Sequence, residues 1–394
     1  MNAASEGRRL RVAVLSRNFD PTGGGAERYA IALVEHLAAR HEIHVFAQSI
    51  HHQHPGVTYH PVAMPLARPR WINQLWFAYA TWRATKSGFD VVHSHENTWH
   101  GQVQTVHVLP IRHNLFVGRT GWRAAMRWLK VVTSPRLVAY LWLEKRRYAP
   151  QPGRRLVATS NTLRDVLVAT HPHTAPMLEV ITPGIEAAPG AASVAAKRAA
   201  REVLGLPLQD PLVLFVANDF HKKGLATVLE ALAQLSKAPH ALDLNLAVVG
   251  NSAQAPAFAA QIKRLGLEPR VSFLGQLQNM ADAYDAADAL VHPTLEDTFG
   301  MVVLESMAHG LPVAVSAARF CGISQLLTHG ENALLLQDPT DVPALATALR
   351  AIFTDEGLRV RLGLAACRFA QGFRWENLSN DLNKIYKKSA LSHE

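Results

Sequence analysis

Cysteine is scarce in this sequence, with only Cys321 and Cys367 among 394 residues. Two cysteines exclude a disulfide-stabilised scaffold and favour a reducing compartment. Long apolar runs are also missing, because no stretch of about 18 apolar residues is present to span a bilayer. Residues 1–11 carry charge but lack the apolar segment of a signal peptide. We therefore expect a cytoplasmic protein without a membrane-spanning segment.

Acidic residues are few in the N-terminal half. Residues 1–190 carry 22 Lys and Arg against 11 Asp and Glu, whereas residues 191–394 carry 18 against 20. The excess positive charge of a chain with net charge +9 therefore lies in the first half. Such a surface favours an anionic partner: a membrane surface, a phosphorylated acceptor or nucleic acid. The length allows two domains with separate cores.

Short apolar runs alternate with helical patterns along the chain, which predicts an α/β fold. The first run, residues 11–16, leads through a loop containing Gly24 and Gly25 into a predicted helix over residues 29–39. This order opens a Rossmann-like domain, although the glycine spacing is not that of the dinucleotide motif. A flexible turn is the alternative. Residues 186–193, rich in Ala, Pro and Gly, predict a linker to a second α/β series.

The segment from Val291 to Gly310 has the pattern of a strand end, an acidic loop with Glu296 and Asp297, and a helix. The free N–H groups of a helix start can bind phosphate, and Glu305 can accept hydrogen bonds from sugar hydroxyls. The pattern favours a nucleotide sugar, with a solvated acidic loop as the alternative. The predicted contacts at the helix start are Phe299, Gly300 and Met301.

Asp297 and Glu305 stand with seven residues between them. This spacing resembles the acidic signature of the retaining, two-domain (GT-B) glycosyltransferases of family 4. The family usually has Glu at the first position, so Asp297 departs from the pattern, and Glu296 is the alternative first acid. The glycine-rich opening loop and the loop with Lys222 and Lys223 also resemble the family. Within it, residues 219–224 and 320–324 are most similar to bacterial lipopolysaccharide-core glucosyltransferases.

The resemblance implies two Rossmann-like domains facing each other across a cleft. Residues 1–186 would form the acceptor-side domain, residues 187–373 the donor-binding domain, and residues 374–394 a helix returning to the first domain. The implied activity is transfer of a hexose from a UDP-sugar, UDP-glucose first, to a lipid-linked glycan such as the lipopolysaccharide core. The implied donor contacts are Gly24, Gly25, Lys222, Lys223, Phe299, Gly300, Met301 and Glu305. We expect neither a metal nor another cofactor, because no Asp-x-Asp motif stands in a suitable loop.

His107 lies in a predicted strand over residues 103–109, near the C-terminal edge of the sheet, where such folds bind ligands. Family members often carry a His here that faces the donor hexose, so the resemblance implies a catalytic set of His107, Asp297 and Glu305. A packed strand-end His is the alternative, and His93, His95 and His113 are rivals. The His-rich residues 51–54 lack the spacing of a structural metal site.

Residues 111–148 are basic and rich in tryptophan. Arg119, Arg123, Arg127 and Lys130 recur every three or four residues, so one helix would present them as a single stripe beside Trp122. This composition favours an interfacial helix on anionic lipid, and the family resemblance implies the cytoplasmic face of the inner membrane as its place. An insertion packed on its own domain is the alternative. We expect the earlier aromatic residues, Trp71, Trp76, Phe77 and Trp82, to be buried in helix packing.

Other functions remain open from the sequence. A GDP-sugar could be the donor, for another polysaccharide. An epimerase of UDP-N-acetylglucosamine would use the same donor site, but it would not need the basic, Trp-rich insertion. A phosphorylase would use the same cleft, but usually in a much longer chain with a pyridoxal-phosphate lysine. A non-catalytic basic module would explain the charge and leave the acidic signature unexplained. We expect no nucleic-acid partner.

Overall fold

The computed structural model describes residues 8–21, 23–66 and 68–391. The chain divides into two compact units. The first comprises the residues up to Gly184 together with those from Trp375 onward, and the second runs from Ile185 to Arg374.

The first unit contains a parallel sheet and the helices that cover it. Its strands are β1 (Arg11–Leu15), β2 (Asn18–Phe19), β3 (Glu42–Ala47), β4 (Ser49–Ile50), β5 (Val57–Pro61), β6 (Val91–Ser94), β7 (Val103–Val106), β8 (Arg155–Ala158) and β9 (Leu178–Val180). Its helices are α1 (Gly25–Ala38), α2 (Arg70–Ala84), α3 (Ile111–Phe116), α4 (Gly121–Val132), α5 (Pro135–Tyr148) and α6 (Asn161–Thr170), while the chain's last helix also belongs here. Among the described residues, seven strands pair in the order β5-β3-β1-β6-β7-β8-β9.

The second unit repeats this plan. In chain order its elements are α7 (Val194–Leu204), β10 (Leu212–Ala217), α8 (Leu225–Lys237), β11 (Asn245–Gly250), α9 (Pro256–Leu265), β12 (Val271–Gly275), α10 (Met280–Ala286), β13 (Ala289–His292), α11 (Met301–Ala308), β14 (Val313–Ser316), β15 (Leu334–Leu336), α12 (Val342–Thr354) and α13 (Glu356–Gln371). The sheet order is β12-β11-β10-β13-β14-β15. The last helix of the chain is α14 (Trp375–Leu391).

Both sheets are covered by helices on two faces, which explains why a central strand such as β10 is apolar throughout. Along β10, Leu214 packs with α11 residues such as Leu304 on one face, while Phe215 packs with α8 residues on the other. In the first unit, Val14 of β1 and Tyr386 of α14 belong to one buried core. Successive side chains of a strand point to opposite faces, so one run of residues builds two cores.

The predicted α/β class with two Rossmann-like sheets is confirmed. Some element bounds differ from the expectation. Helix α1 begins at Gly25 rather than at residue 29, with Gly24 as the residue before it. Near the C-terminus, α12 and α13 are separate helices, because the Asp355 side chain accepts a hydrogen bond from the Leu358 N–H and caps the second one.

Aromatic residues of α2 lie largely outside the core. Phe77 is fully buried, as expected, but Trp76 is 39% exposed and Trp82 is 37% exposed, so the expectation of burial was wrong for these two. They share a helix face with Tyr79, and the three rings pack against one another instead. Within the described residues, every helix is too short or too polar to cross a bilayer.

Candidate active site

The acidic loop of the second unit lies between β13 and the start of α11. Gly300 precedes the helix with φ of +99°, in the left-handed region. A Cβ atom added there would lie 2.7 Å from Cys321 Sγ, so the turn needs glycine. The helix begins at Met301, and Phe299 is buried just before it. Its first N–H groups are therefore available to an anion, as the sequence predicts.

Asp297 is held in this loop by its backbone and by its side chain. Its N–H donates to the Phe320 carbonyl at 2.7 Å, and its carbonyl accepts from the Gly322 N–H at 3.0 Å. One carboxylate oxygen, Oδ2, lies 2.6 Å from Lys223 Nζ and 3.1 Å from His292 Nε2. Burial would raise the pKa of Asp297, but the Lys223 ammonium and His292 hold that pKa well below its usual range. The carboxylate is therefore ionised near neutral pH.

Lys222 and Lys223 lie in the loop between β10 and α8. Gly224, with φ of +83°, follows them, and a Cβ there would overlap the Pro293 carbonyl oxygen. The loop therefore lies directly against the acidic loop. Lys222 Nζ lies 2.7 Å from Glu296 Oε1, in a pair with side chains 45% and 33% exposed. Such an exposed pair contributes little stability, so Lys222 can change partners at small cost.

The two candidate first acids differ in their surroundings. The Asp297 side chain is 18% exposed and contacts both Lys223 and a buried histidine, while Glu296 contacts the more exposed Lys222. The structure thus brings two cations and two carboxylates together beside a helix N-terminus. In this cluster, Lys222 and Lys223 were predicted as donor contacts and Asp297 as a member of the catalytic set.

Glu305 lies in the second turn of α11 and is partly buried. The hydroxyl of Tyr284 donates to Glu305 Oε2 at 2.5 Å. Tyr284 is 3% exposed and belongs to α10, so a packed ring fixes the carboxylate. The sequence analysis missed Tyr284, because no local pattern connects residues 21 positions apart on different helices.

The glycine-rich loop of the first unit leads directly into α1. Gly24 has extended backbone angles and Gly25 is the first helical residue. The Arg28 N–H donates to the Gly24 carbonyl, so the helical ladder starts there. A Cβ at Gly23 would lie 2.9 Å from the Asp20 carbonyl oxygen, which explains a glycine at that position. Gly24 and Gly25 therefore form a helix start rather than the longer loop that we predicted.

His107 directly follows β7, at the carboxyl end of its strand. Its Nε2 lies 2.9 Å from His95 Nδ1, and the two rings stack. Burial, with a smaller contribution from the charge of Arg147, lowers the pKa of His107 to about 3. The ring is therefore neutral at physiological pH. Of its rivals, His93 lies on the neighbouring strand β6 and His95 directly follows that strand, whereas His113 belongs to α3.

The predicted basic stripe is present on α4, with one correction. Arg123, Arg127 and Lys130 share a helix face. Arg119 lies before the helix, and its guanidinium donates to the carbonyls of Asn114 and Leu115 at the end of α3. Glycines 118 and 121 have positive φ and interrupt the helical pattern between them.

Helix α4 also exposes an apolar face. Trp122, Met126 and Leu129 are 67%, 60% and 63% exposed, and Val131 is its buried residue. Basic and apolar residues together line one groove, with Gly118 between them: Val117, Arg119, Trp122, Arg123, Met126, Arg127 and Lys130. Apolar side chains exposed in such a group indicate an interaction surface.

Among the residues that the structure describes, no group of three or more His, Cys, Asp and Glu could hold a metal ion. Cys321 is fully buried, and burial, together with the charge of Asp297, raises the pKa of its thiol. Its Sγ occupies the space that a side chain at position 300 would need.

Two Rossmann-like parallel sheets, one of which presents an acidic loop and two lysines at a helix N-terminus, define the GT-B class of fold. Two family models match the chain: Glycosyltransferase Family 4 over residues 23–188 and Glycosyl transferases group 1 over residues 196–368. The chain therefore belongs to the family 4 glycosyltransferases.

A D-inositol 3-phosphate glycosyltransferase of Corynebacterium kroppenstedtii is similar in sequence. It is 30% identical over 245 residues, which are 59% of this chain and 53% of the relative. The match thus spans about half the length of that curated relative, and two further Corynebacterium relatives are matched over 52% and 45% of their length.

Solved structures show the same fold. WaaG, a glycosyltransferase involved in lipopolysaccharide biosynthesis, has a TM-score of 0.80 at 21% identity, covering 95% of this chain and 99% of that one. HepE of Anabaena in complex with UDP-glucose has a TM-score of 0.72 at 18% identity, with 95% and 99% coverage. At these identities the likeness concerns the fold.

Proposed function

We propose that the protein is a retaining glycosyltransferase that moves a hexose from a UDP-sugar, UDP-glucose first, to a lipid-linked glycan of the cell envelope such as the lipopolysaccharide core. The observation that carries the proposal is the cluster of Lys222, Lys223, Glu296 and Asp297 beside the N-terminus of α11. Lysines and free helix N–H groups suit a diphosphate, and carboxylates suit sugar hydroxyls.

Binding of the donor exchanges ion pairs within this cluster. The diphosphate takes the place of Glu296 at Lys222, because that pair is the more exposed, while Lys223 keeps its contact with Asp297. Asp297, kept ionised by its surroundings, accepts hydrogen bonds from hexose hydroxyls. Glu305, fixed by Tyr284, accepts from the ribose.

Catalysis then depends on stabilising the leaving group. Charge grows on the nucleoside diphosphate as the bond to the hexose breaks, and Lys222, Lys223 and the N–H groups after Gly300 neutralise it without moving. His107 belongs to the same proposal as the group that orients the hexose. Being neutral, it acts by hydrogen bonding rather than as a cation.

The comparisons support the choice of donor and acceptor. HepE is named with UDP-glucose, and WaaG is named for lipopolysaccharide biosynthesis. The relative from Corynebacterium is named for D-inositol 3-phosphate, so an inositol phosphate belongs in every acceptor panel.

The surface of α4 supports a lipid-linked acceptor at the cytoplasmic face of an anionic membrane. Arg123, Arg127 and Lys130 would contact lipid phosphates, while the exposed Trp122 and Met126 would enter the boundary between head groups and acyl chains. Basic residues near such a surface contribute about 1 kcal/mol each.

Thermal unfolding in the presence of UDP, GDP, ADP and their common sugars tests the donor. A ligand at about 100 times its Kd should raise the free energy of unfolding by about 2.7 kcal/mol. Selective stabilisation by UDP and one UDP-hexose would support the proposal, whereas a response to GDP compounds alone would move it to another polysaccharide. Silence with every nucleotide would leave a non-catalytic membrane-binding protein.

Substitution of the ribose contact tests the site itself. Glu305→Ala should lower kcat/KM at least about tenfold, equivalent to 1.4 kcal/mol. Product formation with a lipid-linked heptose acceptor and with inositol phosphate, followed by mass spectrometry, would identify the acceptor class. Wild-type turnover of Glu305→Ala would contradict the assigned donor site.

A further inference from the structure

Adjacent strands of the first unit, β6 and β7, carry a row of polar side chains that leads to His107. Strands β6 and β7 pair in parallel, with His93 opposite Val103 and Ser94 opposite Gln104. Side chains two positions apart lie on one face, so His93 and His95 share a face along β6 and its extension. The His95 N–H donates to the Leu15 carbonyl at 2.9 Å, which fixes its backbone to β1.

The first pair of this row is His93 and Thr105, and both ring nitrogens of His93 have a hydrogen-bond partner. His93 Nε2 lies 2.7 Å from Thr105 Oγ1, and His93 Nδ1 lies 2.7 Å from the Tyr386 hydroxyl on α14. His93 is fully buried. Its ring centroid is 4.4 Å from that of His95, so the first pair forms a fixed support for the second.

The second pair is His95 and His107. His95 Nδ1 and His107 Nε2 are 2.9 Å apart, and the ring planes differ by 17°. Tyr29 of α1 packs its ring against both, at 5.8 Å from His95 and 5.0 Å from His107. The other ring nitrogen of His95, Nε2, is buried and has no hydrogen-bond partner.

That unpaired nitrogen decides where the shared proton lies. If His107 donated from Nε2, His95 would accept at Nδ1 and would have to carry its own proton on Nε2, as a buried N–H without an acceptor. An orphaned buried N–H is rare and costs about 1–3 kcal/mol. If His95 donates from Nδ1 instead, its Nε2 is a bare lone pair, and no donor is left unpaired on His95.

We infer that His95 is a positioning residue: its Nδ1–H donates to His107 Nε2 and holds His107 in the tautomer with its proton on Nδ1. His107 then offers an N–H donor, rather than a lone pair, from its other nitrogen. The inference rests on the role of His107 in the proposed function, where a donor would bind a hydroxyl oxygen of the hexose.

Both rings remain neutral, so a single tautomer can be defined near pH 7. Burial, followed by the neighbouring histidines and Arg147, holds the pKa of His95 well below its usual range. Arg147 donates to the Thr105 carbonyl and to Gln104 Oε1, which keeps its charge close to these rings. The protonation pattern is therefore set by hydrogen bonds, as it is in other buried histidines.

Long-range ¹H–¹⁵N spectra of histidine-labelled protein test the tautomer directly. The signals of His107 are identified by their loss in His107→Ala. In the wild type, we expect Nδ1 to be protonated and Nε2 to be unprotonated. Observation of a proton on Nε2 would overturn the inference, whether or not the protein transfers a sugar.

Kinetics with two variants of His95 test positioning. His95→Asn keeps an N–H donor near the position of Nδ1 and should retain both the tautomer and kcat. His95→Leu lacks the donor, so His107 should show mixed tautomers and kcat should fall roughly tenfold, with the donor KM within about twofold. Exposed His240→Leu is the matched control, and thermal unfolding confirms that each variant folds.

The outcomes separate the two proposals. Wild-type kcat in His95→Leu, with reduced kcat in His107→Ala, would overturn the positioning role and leave the proposed function intact. Wild-type kcat in His107→Ala would remove His107 from the proposed site and with it any positioning role for His95. Equal losses in His95→Asn and His95→Leu would indicate a packing role and also overturn the inference.

Discussion

Lys223 and Asp297 form a more buried ion pair than Lys222 and Glu296 do, so each of the two depends on the other for its charge partner. Removing the lysine in Lys223→Ala leaves a largely buried carboxylate beside His292 without its cation. Breaking such a pair costs about 3–5 kcal/mol when the remaining charge stays buried. We therefore expect two effects: loss of thermal stability, and a kcat at least about tenfold lower because the leaving diphosphate loses a cation.

A second variant separates these two effects. In Lys223→Ala combined with Asp297→Asn, no unpaired charge remains, so much of the stability should return while turnover stays low. Measurement of Tm and kcat on both variants gives the comparison. If the double variant were as unstable as the single one, the loss would come from packing of the lysine side chain rather than from charge.

Tyr284 is the clearest example of a residue that sequence reasoning could not reach. The spacing of Asp297 and Glu305 indicated the acids, but the partner of Glu305 lies on another helix and is selected only by folding. Tyr284→Phe removes one hydrogen bond and keeps the ring. We expect the donor KM to rise several-fold with little change in kcat, since ribose binding is equal in ground and transition states. A fall in kcat at unchanged KM would contradict this role for Glu305.

At the scale of elements, glycines made some boundaries predictable and others not. The start of α11 followed from Gly300, which a side chain at that position would obstruct. The start of α4 did not, because Arg119 continues the basic spacing although the helix begins at Gly121. Periodicity shows which residues could share a face, but the conformation of a single glycine decides whether the helix includes them. The exposed Trp76 and Trp82 show similarly that apolar character does not by itself imply burial.

The basic face of α4 gives a prediction for membrane binding. Changing Arg123, Arg127 and Lys130 to Gln should reduce binding to vesicles containing anionic lipid by more than about 100-fold, at roughly 1 kcal/mol for each contact. Binding of the wild type should also weaken as salt rises. Vesicle co-sedimentation, with zwitterionic vesicles as reference, measures both.

An equal change of net charge elsewhere is the control. Arg198, Lys237 and Lys263 are exposed residues of the second unit, and their change to Gln removes the same number of positive charges. This variant should bind anionic vesicles as the wild type does. Equal loss in both variants would show that net charge, rather than the face of α4, determines binding.

At the scale of the whole molecule, the two units differ in tryptophan content, so a fluorescence signal can distinguish their unfolding. All eight tryptophans lie in the first unit, because residues 185–374 contain none. Intrinsic fluorescence therefore follows unfolding of the first unit alone. Each unit has its own core, so the two can unfold in separate transitions.

The first unit also holds most of the buried neutral histidines. Among the described residues with a lowered histidine pKa, His292 lies in the second unit, while the first unit contains His41, His60, His93, His95, His100 and His107. Burial is the main cause in each case, and it lowers the pKa of both His93 and His107 to about 3. These groups stay neutral when folded and become charged on unfolding in mild acid.

The lower histidine pKa values in the folded state determine how the stability of the first unit changes with pH. Between about pH 3 and pH 6.5 the unfolded state binds more protons than the folded state, so acid destabilises the unit. The stabilisation is complete above about pH 6.5 and falls by up to about 1.4 kcal/mol per pH unit for each histidine. The urea midpoint of the tryptophan-detected transition should therefore drop from pH 7 to pH 5. The dependence of this midpoint on pH should be weaker in His107→Gln, which has one titrating group fewer. It should be unchanged in His240→Gln, the control. A midpoint independent of pH in the wild type would show that these histidines are already protonated in the folded unit.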